Sequence, residues 1–193
     1  MAPSAIRSRS YGRSMTDTGQ PPETPFASAA RLRALAIDDL ATVRFLHTLA
    51  IRRLAVSHLS EEEMNAFVSY VGSIEYTDRL AAQTKAGRLV GAILLDEIVA
   101  TAGWMPANDS GATARLSAVF VSPLFALHGL GRLVVGAVEA QAMQAGYKAF
   151  SIRAPIGAVG FFERLGYDVA SHGVWTLPGQ QPLPVGFLRK VVG

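Results

Sequence analysis

Alternation and helical spacing divide the chain from residue 30 onward into short, well-marked elements. "ARLRALAI" (30–37) alternates apolar and polar positions and predicts a first strand. In "DDLATVRFLHTLAIRRLAV" (38–56), Leu40, Val43, Leu46, Leu49 and Ile51 recur at helical spacing, with Asp38 or Asp39 available as cap. "SHLSEEEMNAFVSYVGS" begins a second helix, in which Ser60 and Glu63 form a capping box and Met64, Phe67 and Val71 mark the buried face. A short helix or loop over 77–85 ends at Gly87. "RLVGAILL" and "IVATAGWMP", joined at Asp96-Glu97, predict an antiparallel hairpin. After the loop at 106–112, "ARLSAVFV" (114–121) predicts a strand stopped by Pro123. A helix over 129–145 stops at Gly146, and "KAFSIRA" predicts the next strand. "IGAVGFFERLG" predicts a helix closed by Gly166, and "YDVASHGVWTL" and "LPVGFLRKVV" predict two last strands. The order β-α-α-β-β-β-α-β-α-β-β places helices between strands of a largely antiparallel sheet, unlike a doubly wound or barrel pattern.

Residues 1–30 do not fit this pattern. They are rich in Ser, Pro, Gly and Arg and poor in large aliphatics, so they cannot bury enough apolar surface to offset their ordering entropy. The expectation is a disordered tail followed by one domain over 31–193. The first sixteen residues hold three arginines and no acid, as a transit peptide would, but an over-long start with Met15 as the initiator is the simpler reading.

Composition narrows the function classes. The chain is 50% hydrophobic and 17% charged, and no apolar run approaches the ~18 residues of a membrane span. A soluble, cytoplasmic protein is expected. The absence of cysteine excludes disulfides, thiolate nucleophiles and cysteine metal sites. The four histidines have no ligand spacing, so no metal is expected. The net charge of +3 is mild, and lysine and arginine are nowhere dense enough to suggest a nucleic-acid groove.

"VFVSPLFALHGLGRL" (119–133) carries the clearest chemistry. A strand, a proline stop and a short turn lead to Gly129 and Gly131, which open a helix. Glycines there let a ligand approach the backbone, and the unpaired first-turn amides at the positive end of the helix dipole suit a pyrophosphate. Gly-x-Gly alone is better explained by tight strand-to-helix packing. A dinucleotide fingerprint fails at Val134, and no Gly-Lys-Ser/Thr follows for a P-loop.

The segment resembles motif A of the GNAT superfamily of acyl-CoA N-acyltransferases, with Val121-Ser122-Pro123 followed by Ala126-Leu127-His128-Gly129-Leu130-Gly131 and Arg132. "APIGAVGFFERLGY" (154–167) resembles motif B, and the hairpin and the paired helices match the family's element order. The resemblance covers about 31–193. It implies an α/β (α+β) fold with a mixed, mostly antiparallel central sheet, splayed central strands and about four helices. It also implies that Val119, Phe120 and Val121 pair with the pantetheine arm of acetyl-CoA. Leu127, His128, Gly129, Leu130, Gly131 and Arg132 would hold the pyrophosphate.

Three positions depart from the family pattern. Ala126 replaces a Gln/Arg, Pro155 an Asn, and Phe162 the tyrosine that commonly protonates the leaving thiolate. Positioned acid–base catalysis contributes ~10²–10⁴-fold. A thiol with a pKa near ~8.5 leaves tolerably without help. A water, or a hydroxyl such as that of Ser117, is the candidate substitute donor, while Tyr167 reads as core packing. Glu163, His172 and His58 are candidates for the general base; His47 and Trp104 read as structural, and Arg52 as a candidate lining residue. The implied activity is direct transfer of an acetyl group from acetyl-CoA to an amine-bearing acceptor, with no acyl-enzyme. The alternative is a catalytically weak acyl-CoA-binding regulatory module. By analogy with paired terminal strands in such folds, a homodimer is also expected.

Overall fold

The computed structural model describes residues 25–107, 112–177 and 182–193. The expected tail lies outside them as far as residue 24, as do the middle of the 106–112 loop and the turn between the last two strands. Residues 25–29, which composition groups with the tail, form helix α1 (Pro25–Ala29). The Phe26 ring meets Phe125 and His128 edge-on, with centroids 5.5 and 4.8 Å apart. Those partners lie a hundred residues away, so the segment's own composition cannot reveal them.

The strands are β1 (Arg31–Ala34), β2 (Leu89–Leu94), β3 (Glu97–Pro106), β4 (Thr113–Val121), β5 (Ala149–Pro155), β6 (Asp168–Thr176) and β7 (Pro182–Val191). The longer helices are α2 (Leu40–Leu54), α3 (Glu61–Gly72), α4 (Ile74–Lys85) and α5 (Leu130–Gln144), followed by the short α6 (Val159–Glu163). The described residues thus hold six α-helices where about four were expected. The additions are α1 and α4, the latter being the helical alternative over 77–85 extended back to Ile74. The Ser73 side chain caps α4 at the Tyr76 amide, 3.1 Å away, and Tyr76, Leu80 and Gln83 form its buried face. The helix expected over 156–166 is broken into a 3₁₀ turn (Ile156–Ala158) and α6, as glycines at 157 and 160 weaken helix propensity. The hairpin turns at Leu95 and Asp96, both at positive φ, one residue before the expected Asp96-Glu97, because Leu94 pairs with Glu97. The Ser60–Glu63 capping box forms as the sequence predicts, with reciprocal bonds of 3.2 and 2.7 Å.

The seven strands lie in the order β1-β2-β3-β4-β5-β7-β6, and every neighbouring pair is antiparallel except β4 and β5. One face carries α5 and α6. There Val134, Val135, Val138 and Ala142 pack on Ala114, Leu116, Phe150, Ile152 and Ala154. The other face carries α2, α3 and α4, whose Val43, Ile51, Phe67, Tyr70 and Leu80 pack with Leu89, Leu183 and Val185. The mixed, mostly antiparallel α/β architecture agrees with the expectation.

Beneath α5 lies a polar triad of buried Tyr167 and Glu139 with half-buried Lys190. Tyr167 donates to Glu139 Oε1 at 2.6 Å, and Lys190 Nζ donates to both Glu139 oxygens at 3.0 and 2.8 Å. Burial, then the bond to Glu139, pushes the Tyr167 phenol far above its ordinary range. Removing one partner from such a pair leaves an uncompensated charge. Lys190→Met should therefore destabilise the domain by about 3 kcal/mol in urea titrations at pH 7, and adding Glu139→Gln should recover part of that loss.

Candidate active site

The site begins with an irregularity in β4. Thr101 of β3 opposes Phe120 and Gly103 opposes Ser117, so Ala102 alone faces two residues, Ala118 and Val119. This is a β-bulge. Ala118 has φ +52°, a left-handed conformation unusual for alanine. Beyond the bulge, β4 loses its parallel neighbour. Pairing with β5 runs from Thr113↔Ala149 to Leu116↔Ile152 and stops, while β5 continues along β7 to Pro155. Residues 117–121 therefore present a strand edge to an open wedge. An extended chain with amide groups can add to such an edge by main-chain hydrogen bonds.

A directed chain of hydrogen bonds holds the bulge. The Thr101 hydroxyl donates to the Ala118 carbonyl at 2.7 Å, which commits its only hydrogen. His47 Nε2, 2.8 Å from Thr101 Oγ1, must then be the donor to it. His47 Nδ1 is left to accept from the Tyr76 hydroxyl at 2.9 Å. The His47 ring also stacks on Phe120, with centroids 4.1 Å apart. His47 is fully buried, and burial pushes its pKa from 6.5 down to about 3. Protonating Nδ1 would set two donors against each other at Tyr76. The structural reading of His47 holds, but it is structural at the edge of the cleft.

The loop after β4 ends at Gly129 with φ +78°, and no side chain caps the start of α5. The first-turn amides of Leu130, Gly131 and Arg132 are left without intrahelical acceptors. A Cβ at Gly131 would lie 3.0 Å from the Phe161 ring and 3.4 Å from Val121, so glycine here also lets α5 sit close against these side chains. Leu127 takes φ +65° and is almost fully exposed.

A cleft of about 1800 Å³ runs from the α5 terminus through the wedge to the α2–α4 side. It is lined by Ser117, Val119, Phe120 and Val121, and by Leu127, Gly129, Leu130, Gly131 and Arg132. His128 does not line it; its ring packs on Phe26. Ser117 accepts a 2.6 Å bond from Gln83 Nε2, which leaves its own hydrogen free to donate. Glu163 is exposed on α6 and His172 on β6, and neither lines the cleft, nor does Arg52. His58 does line it, and a Cβ at Gly157 would collide with its ring. Trp104 is buried in the core beneath α5. Phe162 is buried between Phe161 and Tyr167, at centroid distances of 4.9 and 5.6 Å. Sequence reasoning missed Tyr70, Gln83, Arg153 and Trp175, which also line the cleft. Each looks ordinary on its own element, and only the fold brings them together.

A bulged strand that parts from its parallel neighbour thus lies beside an uncapped helix terminus, with one cleft running past both. Residues 55–174 match the family described as the Acetyltransferase (GNAT) domain, and the chain belongs to that family. A Bacillus subtilis (strain 168) protein whose acetyltransferase assignment is provisional is 34% identical over 62 residues, which is 32% of this chain. The match spans only 42% of that relative's own length. Among solved structures, a GCN5-related N-acetyltransferase from Rhodopseudomonas palustris is similar at TM-score 0.73 and 21% identity, covering 85% of this chain and 96% of that one. The PaiA N-acetyltransferase of Thermoplasma acidophilum, in complex with coenzyme A, is similar at TM-score 0.62 and 15% identity, with 84% and 98% covered. YncA of Salmonella typhimurium, with its cofactor acetyl-CoA, also gives TM-score 0.62 and 15% identity, with 86% and 95% covered. At these identities the likeness to solved structures is one of fold.

The buried imidazole sets a pH dependence. The folded state favours the neutral ring, so the unfolded chain binds the proton more readily. This contribution to stability is whole above pH 6.5 and is lost progressively as pH falls toward 3. Between pH 7 and pH 5 it should cost about 2 kcal/mol in urea titrations, and His47→Gln should abolish that slope.

Proposed function

We propose that the protein is an acetyl-CoA-dependent N-acetyltransferase acting by direct transfer to a primary amine. The observation that carries this reading is the wedge between β4 and β5, opened by the Ala118 bulge and leading to an uncapped helix terminus. The coenzyme A and acetyl-CoA complexes of two fold neighbours support it. The pantetheine arm lies along residues 119–121, and the pyrophosphate meets the amides of 127–132 with Arg132 and Arg164 close by. A backbone N–H at the bulge polarises the thioester carbonyl. The amine nitrogen attacks the carbonyl carbon, the C–S bond breaks, and the sulfur departs as a thiolate.

Two protons have to be placed. The thiolate receives a hydrogen bond from Ser117, since Phe162 has no hydroxyl and the Tyr167 hydroxyl is committed to Glu139. The amine loses its proton to His58. Among the described residues no Asp or Glu lines the cleft, and His58 is the lining side chain of a type suited to proton exchange near neutrality.

Calorimetric titration of acetyl-CoA into the wild type should give micromolar binding, which Gly129→Glu should abolish while its near-UV circular dichroism stays native. No binding by the wild type would overturn the proposal. In an amine screen read by free-thiol release, His58→Ala should lower kcat/KM by about 10²-fold with acetyl-CoA affinity unchanged. Tight binding with no thiol release for any amine would favour the regulatory-module reading.

A further inference from the structure

The acceptor half of the cleft carries more positive charge than the protein balances. On the α2–α4 face, Ser151 of β5 lies opposite Arg115 on one side and Arg189 on the other, and Arg153 stands one alternation further along. Directly opposed residues share a sheet face. Arg79 of α4 and Arg115 are both within electrostatic reach of Arg153. All four arginines line the cleft, and among the described residues no carboxylate does. Of the four, Arg79 pairs with Glu75 at 3.0 Å on its own helix and Arg189 lies opposite Asp168 across the β6–β7 pair, which leaves Arg115 and Arg153 without a carboxylate partner among the described residues.

Two further features mark the spot as built. The Arg153 guanidinium lies over the Trp175 ring, 3.7 Å from its centroid. Stacking of this kind orders the guanidinium and leaves its N–H edge for a planar anion. The Tyr70 hydroxyl is buried, with no hydrogen-bond partner among the described residues, and interacts electrostatically with Arg79, Glu75 and Arg153. Repelling guanidiniums beside an unmet hydroxyl call for a counterion. The phosphates of acetyl-CoA do not supply it, because the α5 terminus lies on the opposite face of the sheet.

We infer that the acceptor is an amine that also carries a carboxylate, which Arg153 holds with Arg115 and Arg79 while its apolar body lies against Phe67, Tyr70 and Trp175. This rests on the acyl-transfer reading above and names the class of its second substrate.

The test pairs each of a panel of L-amino acids and aminoalkyl carboxylates with its carboxamide, adds spermidine, and follows thiol release from acetyl-CoA. The acid member of each active pair should exceed its amide by about tenfold or more in kcat/KM, as loss of one charge-assisted bond implies. Arg153→Gln should erase that preference through KM, Arg153→Lys should restore it only in part, and acetyl-CoA affinity should not change in either. Equal use of acids and amides, or preference for spermidine, would overturn the inference. If acetyl-CoA binds but no amine releases thiol, the acyl-transfer reading fails separately. Thermal shift of the CoA-bound protein with the same panel then decides the anion site. Stabilisation by acids over amides that is absent in Arg153→Gln sustains it, and no such difference overturns it.

Discussion

The left-handed turn at Ala118 is the constraint on which the cleft depends. A non-glycine residue at φ +52° costs on the order of 1–3 kcal/mol and persists only where its surroundings impose it. Here the surroundings are the Thr101 hydroxyl on the Ala118 carbonyl and the neutral His47 behind it. The chain of donors runs one way, from Tyr76 through His47 and Thr101 to the β4 backbone, so it has a single arrangement. It joins α4, α2, β3 and β4 at the point where β4 leaves β5. The bulge also turns Ser117 and Ala118 toward the same side, Ser117 to Gln83 of α4 and Ala118 into the core beneath α2–α4. One extra residue in a strand thereby opens the wedge, aims a hydroxyl and exposes a strand edge.

The sheet separates two kinds of recognition. On the α5 side the proposed donor site is backbone: amides at a helix terminus, a glycine in the left-handed region and a strand edge. Such groups are present in any sequence that adopts the turn, which would tolerate Ala126 in place of a Gln or Arg. On the α2–α4 side the proposed acceptor site is made of side chains from α3, α4, β5 and β6: Tyr70, Arg79, Arg153 and Trp175. Their identities are free to vary without disturbing the wedge, so one scaffold can keep its acyl donor while the acceptor changes.

This division explains what was legible in the sequence. Gly129 and Gly131 announce the helix terminus because a tight turn needs glycine locally, and the Ser60–Glu63 box announces α3 for the same reason. Ala118 announces nothing: in "ARLSAVFV" it is one apolar letter in an alternating strand, and its conformation is imposed by Thr101, seventeen residues earlier. His47 reads as a mid-helix residue, which it is, but its reach to Thr101 and Tyr76 appears only once three elements meet. Of the three general-base candidates, Glu163 and His172 are close to motif B in sequence but do not line the cleft, whereas His58, from the α2–α3 connection, does.

Phe162 shows how a family signature can keep its packing while changing its chemistry. The ring occupies the core between Phe161 and Tyr167, where a phenol would add only an oxygen at the cleft wall. The nearest phenol in sequence cannot replace it, since Tyr167 donates inward to Glu139 and burial holds its proton firmly. The chemistry at stake is modest. A thiol of pKa about 8.5 lies about 1.5 units above neutrality, so releasing it as the bare thiolate at pH 7 costs only about 2 kcal/mol more than releasing the thiol. A hydrogen bond from a hydroxyl to an anion recovers much of that. Ser117 can supply one because Gln83 donates to it and leaves its hydrogen unspent. The harder proton is the one on the amine. Among the described residues the cleft is lined by arginines and no carboxylate, and positive charge disfavours the ammonium form of an incoming amine. In the proposed complex the acceptor's carboxylate offsets part of that charge, and the guanidinium charge left over still favours the neutral, nucleophilic amine.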